Sequence, residues 1–356
     1  MGIYIVIAFV CILFSLLENV AAGRAPYRMV HLYFYVAICL LLFFVAGTRE
    51  CGFDYYNYYR YFEELNNPHW LSRGLKIGSE PGYSLLNYLT GNYVFVILVM
   101  SGLIVGMQCL FFWKYSRLPI LSLVFYLGLF MYPSTMGQFR QALAMAFVLW
   151  AIVNRENKGK FFGWILLAMM FHFSAIIGIL SLFVPKKVQS FKFYVIVFGL
   201  AVVCSVTTQI AYLRFIDMMP TYVATKLAHY ASVEGTALGI NSAVMLRGFV
   251  FFACYYYRKR LFTIPHMEFF LNIYFLSLII YTALGFAPQV AGRGSIYFSI
   301  FEIIIIANLV FTLKGIRRYA VMLLFISFSI YRQWSFFAEW EQDYIPYRTW
   351  LLNMFG

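Results

Sequence analysis

The chain has 356 residues, of which 63% are hydrophobic and 12% charged, and its formal net charge is +13. At a mean hydropathy of +0.77 too little polar surface exists to cover a soluble globule, so the composition excludes a water-soluble domain and indicates an integral membrane protein. On a soluble chain such a charge would point to nucleic acid, but here Lys and Arg sit mainly in short loops between apolar runs, where they set orientation instead.

Eleven apolar runs follow one another, near 3–22, 29–47, 93–113, 119–136, 139–154, 161–184, 193–213, 242–257, 268–290, 296–313 and 319–331. With about 20 residues needed per crossing, they predict an all-α polytopic protein of ten or eleven transmembrane helices, a single membrane domain over residues 1–356. The first run has no basic region before it and no small-residue cleavage site, which predicts a retained span. Six basic clusters (Arg24/Arg28, Lys114/Arg117, Arg155/Lys158/Lys160, Lys186/Lys187/Lys192, Arg258/Lys259/Arg260, Lys314/Arg317/Arg318) hold 16 of the 27 Lys and Arg, and are assigned to the cytoplasm. The stretches 48–92, 132–138, 214–241, 288–295 and 333–356 hold 10 of the 14 acids and are assigned to the outer face. This scheme puts both ends of the run 161–184 on one side. Either the run enters and returns as two half-length helices around His172, leaving ten crossings, or it is an eleventh crossing with Lys186 and Lys187 outside.

Five of the six cysteines lie in apolar runs, so no disulfide framework is expected. There is no Gly-rich phosphate loop, no CxxC, no HExxH and no G-x-S-x-G elbow, so neither nucleotide-dependent, zinc nor Ser-hydrolase chemistry is supported. The densest polar segment is Arg49-Glu50-Cys51-Gly52-Phe53-Asp54-Tyr55-Tyr56-Asn57-Tyr58-Tyr59-Arg60-Tyr61-Phe62, with five tyrosines beside a span. Ring faces cover the apolar sides of sugars, and charged forks hold hydroxyls and phosphate oxygens. Further charges stand at the predicted outer ends of helices: Glu80, Arg140, Arg214, Arg247 and Arg293. An Arg in hydrocarbon costs roughly 2.5–3.5 kcal/mol, so Arg247 either faces a wet cavity or an anion, or snorkels to the interface. Arginines gathered near one leaflet would hold a lipid pyrophosphate and stabilise the charge that develops on it as a leaving group, with no metal or other cofactor required. His172, alone in an apolar run, is either a hydrogen-bonded core histidine or a cavity base; Asp54 and Glu80 are the competing bases, or else helix caps.

Read in order, Gly47-Thr48-Arg49, Gly52-Phe53-Asp54-Tyr55 with Tyr58, Glu80-Pro81-Gly82-Tyr83, Arg140-Gln141-Ala142-Leu143-Ala144 and Phe171-His172-Phe173-Ser174-Ala175 resemble the motifs of the EpsG-like branch of Wzy-type polysaccharide polymerases. The resemblance spans about residues 45–180. It implies a metal-independent, GT-C-like glycosyltransferase of the bacterial cytoplasmic membrane, with its active site facing the periplasm or cell exterior. Its donor and acceptor would be undecaprenyl-pyrophosphate-linked oligosaccharide repeats, destined for O-antigen, capsule or exopolysaccharide, and a chain-length-regulating membrane protein would be a partner. Transferred onto this chain, the expected catalytic residues are His172, Asp54 and Glu80. Arg49, Tyr55, Tyr58, Arg140 and Gln141 are the expected substrate contacts, joined on topology by Arg247 and Arg293. A ligase that moves glycan from the same carrier to another acceptor, and a flippase for a lipid-linked sugar, are the alternatives.

Overall fold

A computed structural model describes residues 1–21, 28–215 and 239–351; most of the expected outer segment 214–241, and the side chain of Arg214, lie outside the described residues. By its own contacts the chain forms two compact units, Met1–Ile176 with Val310–Gly356, and Ile177–Leu309.

All eleven apolar runs are helical. In the first unit these are α1 (Gly2–Ala21), α2 (Arg28–Gly47), α6 (Tyr93–Tyr115), α7 (Pro119–Tyr126) continued by a π-helix (Leu127–Gly137), α8 (Phe139–Val153), α9 (Lys158–Met169) and α15 (Ile316–Glu339). The expected outer segment 48–92 winds into three short helices, α3 (Tyr55–Leu65), α4 (Trp70–Ile77) and α5 (Pro81–Thr90). The second unit holds most of a 3₁₀ helix (Phe173–Phe183), then α10 (Phe191–Phe215), α11 (Ser242–Tyr256), α12 (Met267–Ala283), α13 (Pro288–Ser299) and α14 (Phe301–Thr312). Among the described residues six helices are long and apolar enough to cross a bilayer, seven if the pair α13–α14, bent by 45°, counts as one span. The remaining apolar helices are shorter, because the chain breaks where hydropathy alone reads on.

Three segments show how the winding departs from what hydropathy alone reads. The segment Pro133–Gln138, expected as an outer turn, is instead wound into the π-helix, with the Gln138 amide donating to the Pro133 carbonyl at 3.2 Å, an i to i+5 bond. Residues 288–295, expected as an outer loop, form most of α13, which Pro288 opens at a position where its missing N–H costs nothing. The run 161–184 does break at His172, between α9 and the 3₁₀ helix. In the second unit, Lys187 pairs with Glu268 at 3.0 Å and Glu268 also accepts from the Val188 amide at 3.1 Å. The basic loop 186–192 therefore lies beside the start of α12, on the same side as the cluster Arg258–Arg260.

The core of the first unit is α7 with its π-helical continuation, of which nearly every residue is buried. Glu18 of α1 fastens it. The carboxylate accepts from the Ile120 and Leu121 amides, both at 2.9 Å, at the positive end of α7, and lies 2.6 Å from His31 Nε2 on α2. A buried acid is thus paired on both oxygens, and three helices share one anchor. At the other end of the spans the tail after α15 folds back onto the loop after α2. The Glu50 amide donates to the Arg348 carbonyl at 2.8 Å and the Gly52 amide to the Asp343 carbonyl at 2.9 Å, while Arg49 and Thr349 form a β-bridge. Part of the stretch 333–356 that was assigned to the outer face thus straps the loop after α2.

Candidate functional site

Gly52 takes φ +128°, and a Cβ there would lie 2.8 Å from the Met136 carbonyl oxygen, so the backbone turns where only glycine fits. The turn starts α3. Along one face of α3 stand Asp54, Asn57, Tyr58, Tyr61 and Glu64, at helical spacing, and with Arg60 and Arg140 they line a cavity of about 350 Å³. Asp54 occupies the N-cap position but makes no cap bond; its carboxylate accepts from Asn57 Nδ2 at 3.1 Å.

Arg140 comes to the cavity from the first turn of α8, directly after the π-helix. Its guanidinium carbon lies 5.3 Å from the Tyr58 ring, 5.1 Å from Tyr61 and 5.3 Å from Tyr83, a cage of ring faces that favours a planar cation. Behind it, Arg140 Nη1 donates to Glu80 Oε2 at 2.8 Å, with both side chains about 15% exposed (15% and 16%). Glu80 makes no cap bond either; its other oxygen accepts from the Phe173 amide at 3.2 Å. The reciprocal contact is made by the Met170 carbonyl, which accepts from the Gly82 amide at 2.8 Å. A Cβ on Gly82 would meet Met170 Cβ at 2.8 Å, so glycine is what permits this docking. The helix break around His172 is therefore clamped to the start of α5, and the clamp places Glu80 behind Arg140.

Among the described residues the Arg140 Nε and the buried Tyr83 hydroxyl have no hydrogen-bond partner. Burial pushes the Tyr58 phenol up to about 12, against the opposing pull of Arg140, so the ring meets the cation as a neutral phenol.

The structure thus brings Asp54, Tyr58, Arg140 and Glu80 together. His172 adjoins them along the chain through Phe173, and its Nδ1 lies 2.7 Å from Ser174 Oγ. Arg49, Gln141 and Tyr55 are not in the cavity lining. Arg49 is 1% exposed, bonded to the Ala46 carbonyl and to Ser101 Oγ at 3.2 Å, and Gln141 is 2% exposed within α8. Tyr55 offers its carbonyl to the Tyr93 hydroxyl at 2.9 Å and its ring edge to the same residue. In the second unit, Arg247 on α11 donates to Ser295 Oγ at 3.0 Å and stacks 4.3 Å from the Tyr281 ring, and Arg293 is exposed on α13. Asn57, Arg60 and Tyr61 lie in the tyrosine-rich segment that the sequence marked as suited to sugars but were not named as site residues, and Glu64 lies beyond it. The signal that would have found Asn57, Tyr61 and Glu64 is their helical register with Asp54; Arg60 lies off that face.

The fold and site define a polytopic all-α membrane protein with a polar, aromatic cavity beside its spans. A family model described as EpsG family matches residues 32–349, and the chain belongs to that family, which makes it a membrane glycosyltransferase of the polysaccharide-polymerase type. No curated protein and no solved structure matches it.

Proposed function

We propose that this protein polymerises oligosaccharide repeats carried on undecaprenyl pyrophosphate at the outer face of the bacterial cytoplasmic membrane. A hydroxyl of one lipid-linked repeat attacks the anomeric carbon of the growing chain, forming the new glycosidic bond and releasing undecaprenyl pyrophosphate; direct displacement inverts the anomeric centre. The observation that carries this reading is the Arg140 cage. One guanidinium donor is spent on Glu80 and Nε is buried, so the remaining Nη donors are the ones left for phosphate oxygens of the leaving group.

Asp54 is the base this geometry favours. It lines the cavity and accepts one neutral hydrogen bond, whereas both oxygens of Glu80 are taken, which makes Glu80 the group that aims Arg140. His172, bonded to Ser174, stands second as base. Arg49, Tyr55 and Gln141 support the loop and helix that carry the site. Arg247 and Arg293 rest on topology for their pyrophosphate role and rank behind Arg140. No step calls for a metal or nucleotide.

The test is incubation of the purified protein with synthetic undecaprenyl-pyrophosphate-linked repeats, without nucleotide and with EDTA, followed by gel separation of the lipid-linked products. A ladder is the expected result. Single repeats from folded protein given its cognate substrate would overturn the reading, and transfer to another acceptor without a ladder would identify a ligase.

A further inference from the structure

Arg60 lines the α3 cavity together with Arg140 and takes no part in the contacts that fix Arg140. It lies between Tyr58 and Tyr61 in the chain, so along the axis of α3 it stands at the level of the ring cage. At about 100° per residue it leaves the helix roughly a quarter-turn from Tyr61, and so reaches the cavity from its edge. Arg140 comes over the same cavity from α8. Two guanidinium groups thus approach one space from two sides.

Charge shows why one of them does not suffice. Arg140 is paired with Glu80 at 2.8 Å, and the pair presents little net charge. A lipid pyrophosphate linked to a sugar is ionised on both phosphates, and more negative charge develops as the bond to the sugar breaks. The Nη donors that Glu80 leaves on Arg140 suit the oxygens of one phosphate. The other phosphate would share the cavity with the carboxylates of Asp54 and Glu64, and Arg60 is the remaining cation of the lining.

Arg60 is also available. Its side chain is exposed, and among the described residues it makes no ion pair. The acids that follow it on α3, Glu63 and Glu64, lie C-terminal to it, the weaker order for a pair on a helix, so little is lost when an anion takes their place. We propose that Arg60 binds the second phosphate of the lipid pyrophosphate, and that with it the cavity selects a pyrophosphate carrier over a monophosphate carrier of the same hydrocarbon tail. This rests on the reading of Arg140 as the ligand of the other phosphate.

The test measures binding, with no polymerisation needed. Radiolabelled undecaprenyl pyrophosphate is retained by the purified full chain in detergent and competed by unlabelled undecaprenyl pyrophosphate or undecaprenyl phosphate. The parent should prefer the pyrophosphate by about tenfold or more, the worth of one charge-assisted contact. Arg60→Gln should remove that preference and leave the affinity for the monophosphate within about twofold. Arg73→Gln on α4 makes the same change in net charge outside the cavity, and should keep the preference. Both variants replace exposed side chains, so each should melt as the parent does. A preference that survives in Arg60→Gln would overturn the proposal, and so would an equal loss in Arg73→Gln, which would assign the effect to overall charge. Arg140→Ala tests the foundation separately, since it should weaken both lipids alike. If it weakens neither while Arg60→Gln loses the preference, the assignment of Arg60 stands and the reading of Arg140 falls alone. A preference that depends on Arg60 in a protein that makes no ladder would likewise uphold the site and remove only the polymerase reading.

Discussion

Arg49 and Arg140 carry the same side chain in two motifs of the same kind, and Phe139 is a neighbour of both environments, yet the two regions use the guanidinium differently. Arg49 lies 5.7 Å from the Phe139 ring, 1% exposed, and directs its donors to a backbone carbonyl and a serine of the spans. On the other side Phe139 packs against Tyr58 and Tyr83, two of the three rings around Arg140, with centroids 4.0 and 5.9 Å away. Arg140 faces a carboxylate and a cavity. A buried Arg bonded to neutral groups holds a loop in place, whereas an Arg paired with an acid, caged by rings and open on one side, is held ready for an anion. The kind of partner and the remaining exposure separate the two uses, and the residue type does not.

The largest effect that tests this contrast is on turnover. Arg140→Ala is expected to lower polymerisation by roughly 10²–10³-fold, the magnitude of losing one donor to a developing oxyanion. Arg140→Lys should fall between, because it keeps the charge and loses the planar fork. Rates normalised to folded protein in the ladder assay check both. Asp54→Asn is next. It keeps the shape and the Asn57 neighbour, and should cost about 10²-fold if Asp54 takes the attacking hydroxyl's proton. A rate within threefold of the parent would move that role to His172.

Arg49 should show the opposite signature. Arg49→Met removes a buried cation whose bonds tie the end of α2 to α6, and is expected to cost about 1–3 kcal/mol of stability. The rate per folded molecule should change by less than a factor of about three, since no atom of Arg49 lines the cavity. A thermal melt in detergent beside the ladder assay separates the two quantities. If instead the melt is unchanged and the ladder is lost, the contrast between the two arginines fails.

Much of the architecture was legible because hydropathy alone marks where backbone polar groups must be satisfied within a helix. Every apolar run became helical, and the break at His172 was visible as a conflict between charge and crossing number. What was not legible depends on contacts far apart in the chain. Arg49 is sealed by a strap that includes Thr349, and nothing in the local sequence distinguishes it from Arg140. The π-helix over Leu127–Gly137 escaped because apolar composition does not separate i to i+4 from i to i+5 winding, even though it is what sets Arg140 at the start of α8. Gly82 was read as part of a motif. Its reason, the approach of the Met170 carbonyl, appears only once α5 and the chain after α9 are docked.

The smallest effect concerns the rings. Tyr58→Phe keeps the face 5.3 Å from Arg140 and removes only the hydroxyl, so turnover should stay within about threefold. Tyr58→Leu removes the face, and at about 1–2 kcal/mol for a partly desolvated cation–π contact it should cost roughly 5–30-fold. The phenol also gives a pH handle with a definite sign. Its value when folded is raised to about 12, whereas an unfolded tyrosine ionises near 10. Its contribution to stability is therefore complete below about pH 10 and is lost as pH rises toward 12, because the unfolded chain releases the proton first. In a difference titration of phenolate absorbance, parent minus Tyr58→Phe, the missing phenol should titrate near 12. A midpoint near 10 would mean that Tyr58 is solvated and that the rings do not cage Arg140, and the distinction between the two arginines would then rest on the Glu80 pairing alone.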